Sequence, residues 1–158
     1  MELLIVIVIL GILVTLGGAS FRGSQKKGRD ARRKADLHNI SLALEQYYSD
    51  KGEYPEDGGD SGNVYACDPD GTSLCAWGAA FAQIVNGKNV VYMLTLPDDP
   101  VVAQQYYYDA GNQNKSYQLY AHLENSEDME IITPSNGSAT CGTGTPCNYG
   151  VASSATTP

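Results

Sequence analysis

Residues 2–51 read ELLIVIVILGILVTLGGASFRGSQKKGRDARRKADLHNISLALEQYYSDK, and this stretch decides the fold. Its first part, from Leu3 to Ala19, is apolar apart from Thr15. As a helix it extends about 25 Å, which reaches the lower end of what crosses a bilayer core. An acid, Glu2, precedes the run and basic residues follow it, whereas a cleaved secretory signal has its positive charge in front. The first part therefore predicts a helix that must be covered by lipid or by similar helices.

The second part of this stretch has apolar residues on one face only. They recur at spacings of three and four residues, which is the period of an amphipathic helix. Lys51, Gly52 and Pro55 then form a typical helix stop. We therefore predict a single helix from Glu2 to Lys51, about 75 Å long if unbroken. The predicted apolar stripe consists of Leu37, Ile40, Ala43, Leu44, Tyr47 and Tyr48.

Charge is divided sharply along the chain. Residues 1–34 hold seven Lys/Arg against two acids and carry +5, whereas the remainder holds three Lys/Arg against sixteen acids and carries −13. An acidic body argues against nucleic acid as a partner, because phosphates require a basic face on the folded domain. The seven N-terminal cations are Arg22, Lys26, Lys27, Arg29, Arg32, Arg33 and Lys34.

The four cysteines form two local pairs in segments rich in Gly, Ser, Asp and Thr. Their spacings are not those of zinc sites, and loop-closure entropy favours the two local disulfides among the three connectivities. Disulfides indicate an oxidising, extracytoplasmic location. Basic residues behind an ordinary membrane anchor would instead keep the body in the cytoplasm, so a plain anchor disagrees with these bridges. The predicted pairs are Cys67 with Cys75 and Cys141 with Cys147.

Composition divides the chain into five segments. Residues 1–21 are the apolar transmembrane or filament-core helix, and residues 22–52 are its amphipathic continuation. Residues 53–89 are a loop-rich αβ region with a short helix, and residues 90–133 are an antiparallel sheet. Residues 134–158 are a Ser/Thr/Gly-rich tail with its own disulfide. The predicted fold class is α+β, with the C-terminal half of the long helix packed on a small antiparallel β-sheet.

Local patterns assign the elements of the body. AWGAAFAQIVNG (76–87) places apolar residues at helical spacing, and Asn86-Gly87 would end that short helix. Strands are predicted in NVVYMLTLP, QQYYYD and SYQLYAHL, which are rich in β-branched or aromatic residues, with GNQNK as a turn. MEIIT (129–133) is predicted to be the last strand.

The residues offer no catalytic constellation. Gly59-Asp60-Ser61-Gly62 is similar to the nucleophile loop of serine proteases, but the only histidine upstream is His38 on the amphipathic helix. An activated serine needs a base within hydrogen-bond reach. We therefore predict that the chain is not an enzyme.

Two segments of the chain resemble a known family. ELLIVIVILGILV resembles the N-terminal core of type IV pilins and of type II secretion pseudopilins, in which a Glu before an apolar run opens a long helix. RDARRKADLHNISLALEQYYSDKGEYP is similar to the continuation of that helix, notably in major pseudopilins and related bacterial pilins. The resemblance covers residues 2–55 and extends loosely to LPDDP at 96–100. It implies a pilin-like fold and a major pilin, the structural subunit of an extracellular filament.

The resemblance also implies how such subunits assemble. Apolar helices stack into a filament core, and the carboxylate corresponding to Glu2 meets the N-terminal amine of a neighbour, since an acid in an apolar bundle is costly unless paired. The alternative is that Glu2 caps the helix or lies at the membrane interface. Gly11, Gly17 and Gly18 would permit local stretching of the helix. The predicted assembly residues are Glu2, Leu3, Leu4, Ile5, Val6, Ile9, Leu10 and Leu13.

Membership of this family would imply several partners. They are an assembly ATPase, an inner-membrane platform, a prepilin peptidase that also methylates the new N-terminus, and the chain itself in a helical homopolymer. The precursor would lie in the inner membrane and the product in a surface pilus serving adhesion or motility. Family precursors carry a basic leader and a few residues before the Glu, whereas Met1 directly precedes Glu2 here. We expect either that those residues lie upstream or that Met1 is a misassigned start.

Two alternatives stay open. A type II secretion pseudopilin would form a short periplasmic piston, and the resemblance at LPDDP implies Asp98 and Asp99 as calcium ligands, against a solvated acidic turn. No other cofactor is expected. The second alternative is a membrane-anchored extracytoplasmic module that binds a surface polymer.

Overall fold

The computed structural model describes residues 2–59, 62–67, 71–111, 113–135, 137–153 and 156–158. Within the N-terminal helix, the side chains of Glu2 and of residues 13–20 lie outside the described set. Asp60 and Ser61 of the protease-like sequence also lie outside it.

The first element is α1, an unbroken helix of 50 residues at Glu2–Lys51, as predicted. It ends where the stop signal places its end. Gly52 adopts a left-handed φ of 75°, and its N–H donates to the carbonyl of Tyr48 at 2.7 Å. A glycine in this conformation closes a helix without the steric cost of a side chain.

In the part of the chain that the structure describes, seven short strands follow α1 and form three antiparallel sheets. β1 pairs with β2, β3 pairs with β4, and β5, β6 and β7 form a three-stranded sheet with β6 in the centre. The chain is therefore α+β with small antiparallel sheets, as predicted. The strands are β1 Val64–Cys67, β2 Ser73–Cys75, β3 Phe81–Val85, β4 Lys88–Met93, β5 Tyr107–Gly111, β6 Ser116–Ala121 and β7 Tyr149–Ala152.

The core lies between the C-terminal half of α1 and the sheets. The predicted stripe of α1 is buried in it, with Tyr48 half-buried at the edge. From β6, Tyr117, Leu119 and Ala121 alternate into the same core, which is the period of a strand with one face on a helix. Tyr120 faces the other way and is buried against the disulfide of the tail. Both predicted disulfides, Cys67–Cys75 and Cys141–Cys147, are present.

The predicted short helix at 76–87 is wrong, because that segment contains β3. Asn86 and Gly87 both adopt left-handed φ values, 53° and 75°, and join β3 to β4 as a two-residue hairpin turn. Such turns match the twist of antiparallel strands and favour Asn-Gly. The apolar spacing was helical by coincidence: Phe81 is fully buried while Ile84 is half-exposed.

The sheet predicted at 90–133 is also assembled differently. MEIIT (129–133) forms no strand, and β4 pairs with β3 in a separate hairpin. The third strand of the larger sheet is β7, from the segment predicted to be only a tail. Cys141–Cys147 closes the loop before β7, and Asn148 N–H donates to the carbonyl of Ala121 at 3.0 Å. The pairing is long-range, so local composition does not reveal it.

The hairpin turn supplies a test of this correction. Gly87→Ala should lower the free energy of unfolding by about 1 kcal/mol, because a Cβ is strained at positive φ. Gly137→Ala is the matched control, since its surroundings are open and its φ is not left-handed. Urea denaturation followed by circular dichroism compares the two. An equal loss in both variants would rule out the left-handed turn as the cause.

Candidate assembly surface

The N-terminal end of α1 presents an uncovered apolar surface. Between Leu3 and Ile12 every large apolar side chain is 51–79% exposed, and exposure runs all round the helix rather than along one stripe. Phe21, further along, is 65% exposed. A surface of this kind far exceeds the apolar patches of ordinary monomeric proteins, and it marks a site that something else covers. The exposed residues are Leu3, Leu4, Ile5, Val6, Ile7, Val8, Ile9, Leu10 and Ile12.

Most of the predicted assembly residues belong to this surface. The exceptions are Glu2 and Leu13, whose side chains lie outside the described residues, as do the surroundings of Gly17 and Gly18. At Gly11 the helix is continuous, and open space surrounds the position of a Cβ. Among the described residues, no helical segment combines the length and the apolar character needed to cross a bilayer.

A buried arginine fixes the other half of α1 to the body. The side chain of Arg33 is fully buried, and its Nε and Nη2 atoms donate to the two carboxylate oxygens of Asp99 at 2.7 and 2.8 Å. Nη1 donates to Asp30 at 2.8 Å and to Glu124 at 2.9 Å. Nη2 also reaches Gln104 Oε1 at 2.8 Å. All donors of the guanidinium are satisfied, which is what a buried charge requires.

The acids around Arg33 are themselves held by backbone N–H groups. Asp30 accepts from the N–H groups of Glu124 and Asn125, both at 2.9 Å. Asp99 Oδ1 accepts from the N–H of Val101 at 2.8 Å. The cluster therefore joins α1 to two separate loops, one after β4 and one after β6. Because these contacts fix both position and angle, they determine the direction in which α1 leaves the body.

Two further cations of α1 extend the ion-paired contact between the helix and the body. Arg29 donates to both oxygens of Glu124, at 2.7 and 2.6 Å. Lys34 binds Asp128 at 2.9 Å and Glu130 at 2.8 Å. Hydrogen bonds from Arg29, and then from Arg33, lower the pKa of Glu124 from 4.5 to about 2, against the opposing effect of burial.

Arg33 is not among the residues predicted from the sequence, although its position carries a signal. Asp30 and Arg33 continue the apolar stripe toward the N-terminus, at the helical spacings that lead to Leu37 and Ile40. Charged residues on the buried face of an amphipathic helix are costly unless paired. Their position on the stripe therefore indicates carboxylate or cation partners elsewhere in the chain, but not which ones.

The structure shows a role for Asp99 that the sequence did not predict. Both of its carboxylate oxygens accept hydrogen bonds from Arg33, so Asp99 anchors the helix to the body. Calcium binding by Asp98 and Asp99 stays a prediction. Asp98 is exposed and lies close to Gly78. In the described part of the chain, no three His, Cys, Asp or Glu side chains are grouped as metal ligands would be.

The chain thus has an exposed apolar segment at residues 3–12, which we call the apolar rod. It is joined to the body through the ion pairs of Arg29, Arg33 and Lys34, which we call the junction. Comparison with protein-family models, curated proteins and solved structures finds no match to this chain.

Removing the central cation tests the junction. Arg33→Met should lower the free energy of unfolding by about 3–5 kcal/mol, because it leaves buried carboxylates without a counter-charge. Arg32→Met is the matched control: Arg32 is 58% exposed and makes one i,i+4 pair at 3.5 Å, worth about 0.5 kcal/mol or less. Urea denaturation at pH 7 measures both. Equal losses in the two variants would contradict the anchoring role of Arg33.

Acid should weaken the same junction. Since the pKa of Glu124 is lower in the folded chain than in the unfolded chain, its stabilising contribution is complete above about pH 4.5 and is lost as the pH falls toward 2. Glu124→Gln should reduce stability at pH 7 and flatten its decline between pH 4.5 and 2. The exposed Glu127→Gln serves as control. Urea titrations at several pH values measure the slopes, and an unchanged slope in Glu124→Gln would contradict this linkage.

Proposed function

We propose that this chain is the major structural subunit of an extracellular helical filament similar to a type IV pilus. The observation that carries the proposal is the division of α1. Residues 3–12 are apolar and exposed on all sides, and the second part of the helix is fixed to a compact body with two disulfides. The exposed apolar residues of such a helix need an apolar environment around them.

The energetics favour a bundle of such helices. Burying one Val, Leu or Ile side chain is worth about 1.5–3 kcal/mol, so the nine exposed residues between Leu3 and Ile12 represent about 10 kcal/mol or more before the cost of association. Lipid around a precursor and neighbouring helices in a filament are both apolar. The proposed mechanism is therefore exchange of lipid for copies of the same helix.

Repetition of one contact then generates the filament. When the apolar part of each copy packs against a different surface of the next, the contact does not close on itself and the polymer grows. The junction around Arg33 would hold every body at the same angle to the core. In this scheme Glu2 pairs with a neighbouring amine and sets the register, and a membrane platform, an ATPase and a prepilin peptidase act on the precursor.

Two observations favour the surface filament over the short pseudopilus. A calcium requirement at Asp98 and Asp99 would favour the pseudopilin, whereas both oxygens of Asp99 accept hydrogen bonds from Arg33. The disulfide-linked C-terminal region also suits a surface exposed to an oxidising medium.

Sheared surface material of the source cells tests the proposal directly. Electron microscopy should show thin fibres, and peptide masses should identify this chain as their main component. An N-terminal peptide with a methylated terminus would support processing by the proposed peptidase. Retention of the chain in the cell envelope, with no fibres containing it, would contradict the proposal.

A charge on the apolar rod should separate assembly from folding. Ile9→Glu should abolish fibres, because each copy would bury an unpaired carboxylate in the bundle. It should leave the stability of the body unchanged, since Ile9 is 51% exposed and lies far along α1 from the core. Leu94→Glu, at an exposed apolar residue of the body, is the matched control and should still form fibres. Normal fibres from Ile9→Glu would contradict helix packing as the mechanism.

A further inference from the structure

Among the described residues, two groups of charges without an ion pair lie far apart, one in the middle of α1 and one around its C-terminal end. Near the apolar rod, Arg22, Lys26 and Lys27 are exposed, and none of the ion pairs among the described residues involves them. We call these three residues the cationic collar. The cations that follow, from Arg29 to Lys34, are matched by acids of the same chain. The collar is the part of the basic segment that the chain itself leaves unmatched.

The second group is acidic and lies at the C-terminal end of α1 and in the segment that follows it. Asp50, Glu53 and Glu56 are exposed, and no ion pair in the described part of the chain includes them. We call these three residues the acidic end. Lys51 and Lys115 are the nearby cations; Lys115 donates to the carbonyl of Gly52 at 2.7 Å rather than to an acid.

A cavity lies at the acidic end. Glu53 and Glu56 line a hollow of about 170 Å³ together with Tyr47, Tyr54 and Tyr65. Carboxylates beside aromatic rings suit the ammonium group of a lysine side chain, which gains from both the opposite charge and the ring face. The hollow therefore has the chemistry of a receptor for a cationic side chain.

The two charged regions are too far apart to neutralise each other within one chain. Lys26 and Asp50 are separated by 24 residues of continuous helix, which is about 36 Å. Charges in solution are screened over about 8 Å at physiological ionic strength. Only a second molecule can bring such charges together.

We propose that the cationic collar of one copy docks on the acidic end of a second copy displaced by about 36 Å along the helix direction. This inference rests on the proposed function and names the surface that the next subunit contacts. Arg22 and Lys26 lie at helical spacing on the same face of α1 as Asp30 and Arg33. They therefore lie on the side of α1 that faces the body, where the acidic end of the second copy would sit.

The same displacement gives the apolar rod a place to lie. It puts Leu3 of one copy beside residue 27 of the other, so the rod follows the side of α1 that faces away from the body. The small residues Gly28, Ala31 and Ala35 are exposed there, with open space around Gly28. The exposed charge of Arg32 lies at the edge of this surface. Leu42, 56% exposed on the same side, would be covered as well. The offset set by the charges therefore also places small residues opposite the rod.

Charge reversal with rescue tests this contact in the full-length chain. Lys26→Glu with Lys27→Glu, and separately Glu53→Lys with Glu56→Lys, should each reduce the mass of sheared fibres about tenfold, because like charges then meet across the contact. The four substitutions combined restore opposite charges and should return fibre mass to near that of the unmodified chain. All four substituted residues are exposed, and circular dichroism melting verifies that each variant folds.

The outcomes are distinct from those of the proposed function. The docking contact would be overturned if neither double variant changed the fibre mass, or if the combined variant folded but did not restore it. Either result would leave the filament proposal intact. No fibres from the unmodified chain would overturn both. Co-sedimentation with phosphatidylglycerol vesicles addresses a membrane partner. One result would assign the collar to lipid headgroups and overturn the docking contact. In that result, Lys26→Glu with Lys27→Glu abolishes vesicle binding, while Glu53→Lys with Glu56→Lys still forms fibres normally.

Discussion

The guanidinium of Arg33 is buried between α1 and two loops of the body, and the geometry of the molecule depends on how it is satisfied. A charge in this position would destabilise the fold if any partner were missing. Asp99, Asp30 and Glu124 supply the counter-charge, and Gln104 completes the donors. The apolar stripe gives α1 its affinity for the sheets, but apolar contacts are not directional. The hydrogen bonds of Arg33 add the direction.

That direction matters because α1 does two different things along its length. From Leu37 onward it is an ordinary core helix, buried on one face. From Leu3 to Ile12 it is an apolar rod with no body around it. In the proposed filament the rod would supply cohesion, and the junction would give every copy the same shape. The charges that the junction leaves unmatched would then discriminate between possible registers of neighbouring copies.

The sequence predicts those features that depend on near neighbours in the chain. The stripe of α1, its end at Gly52 and both disulfides follow from spacing and loop closure over a few residues. The sequence does not predict the hairpin at Asn86-Gly87, because the same dipeptide ends helices and turns strands and the neighbouring apolar residues have helical spacing. It does not predict β7 or the partners of Arg33, because each pairs with residues far away in the chain. The helical spacing of the stripe predicts that Arg33 is buried, but it does not predict that Asp99 is its partner.

The place of β7 in the chain has a consequence for the order of events during synthesis. The apolar rod is made first, whereas the central strand β6 lacks its second neighbour until residues 149–152 have emerged. During that interval β6 has an open edge, which is a hazard for pairing with other chains. Cys141 and Cys147 are close in sequence and sit just before β7, so their oxidation would bring the last strand near its destination. An oxidising compartment would then shorten the period in which a nascent subunit is vulnerable to aggregation.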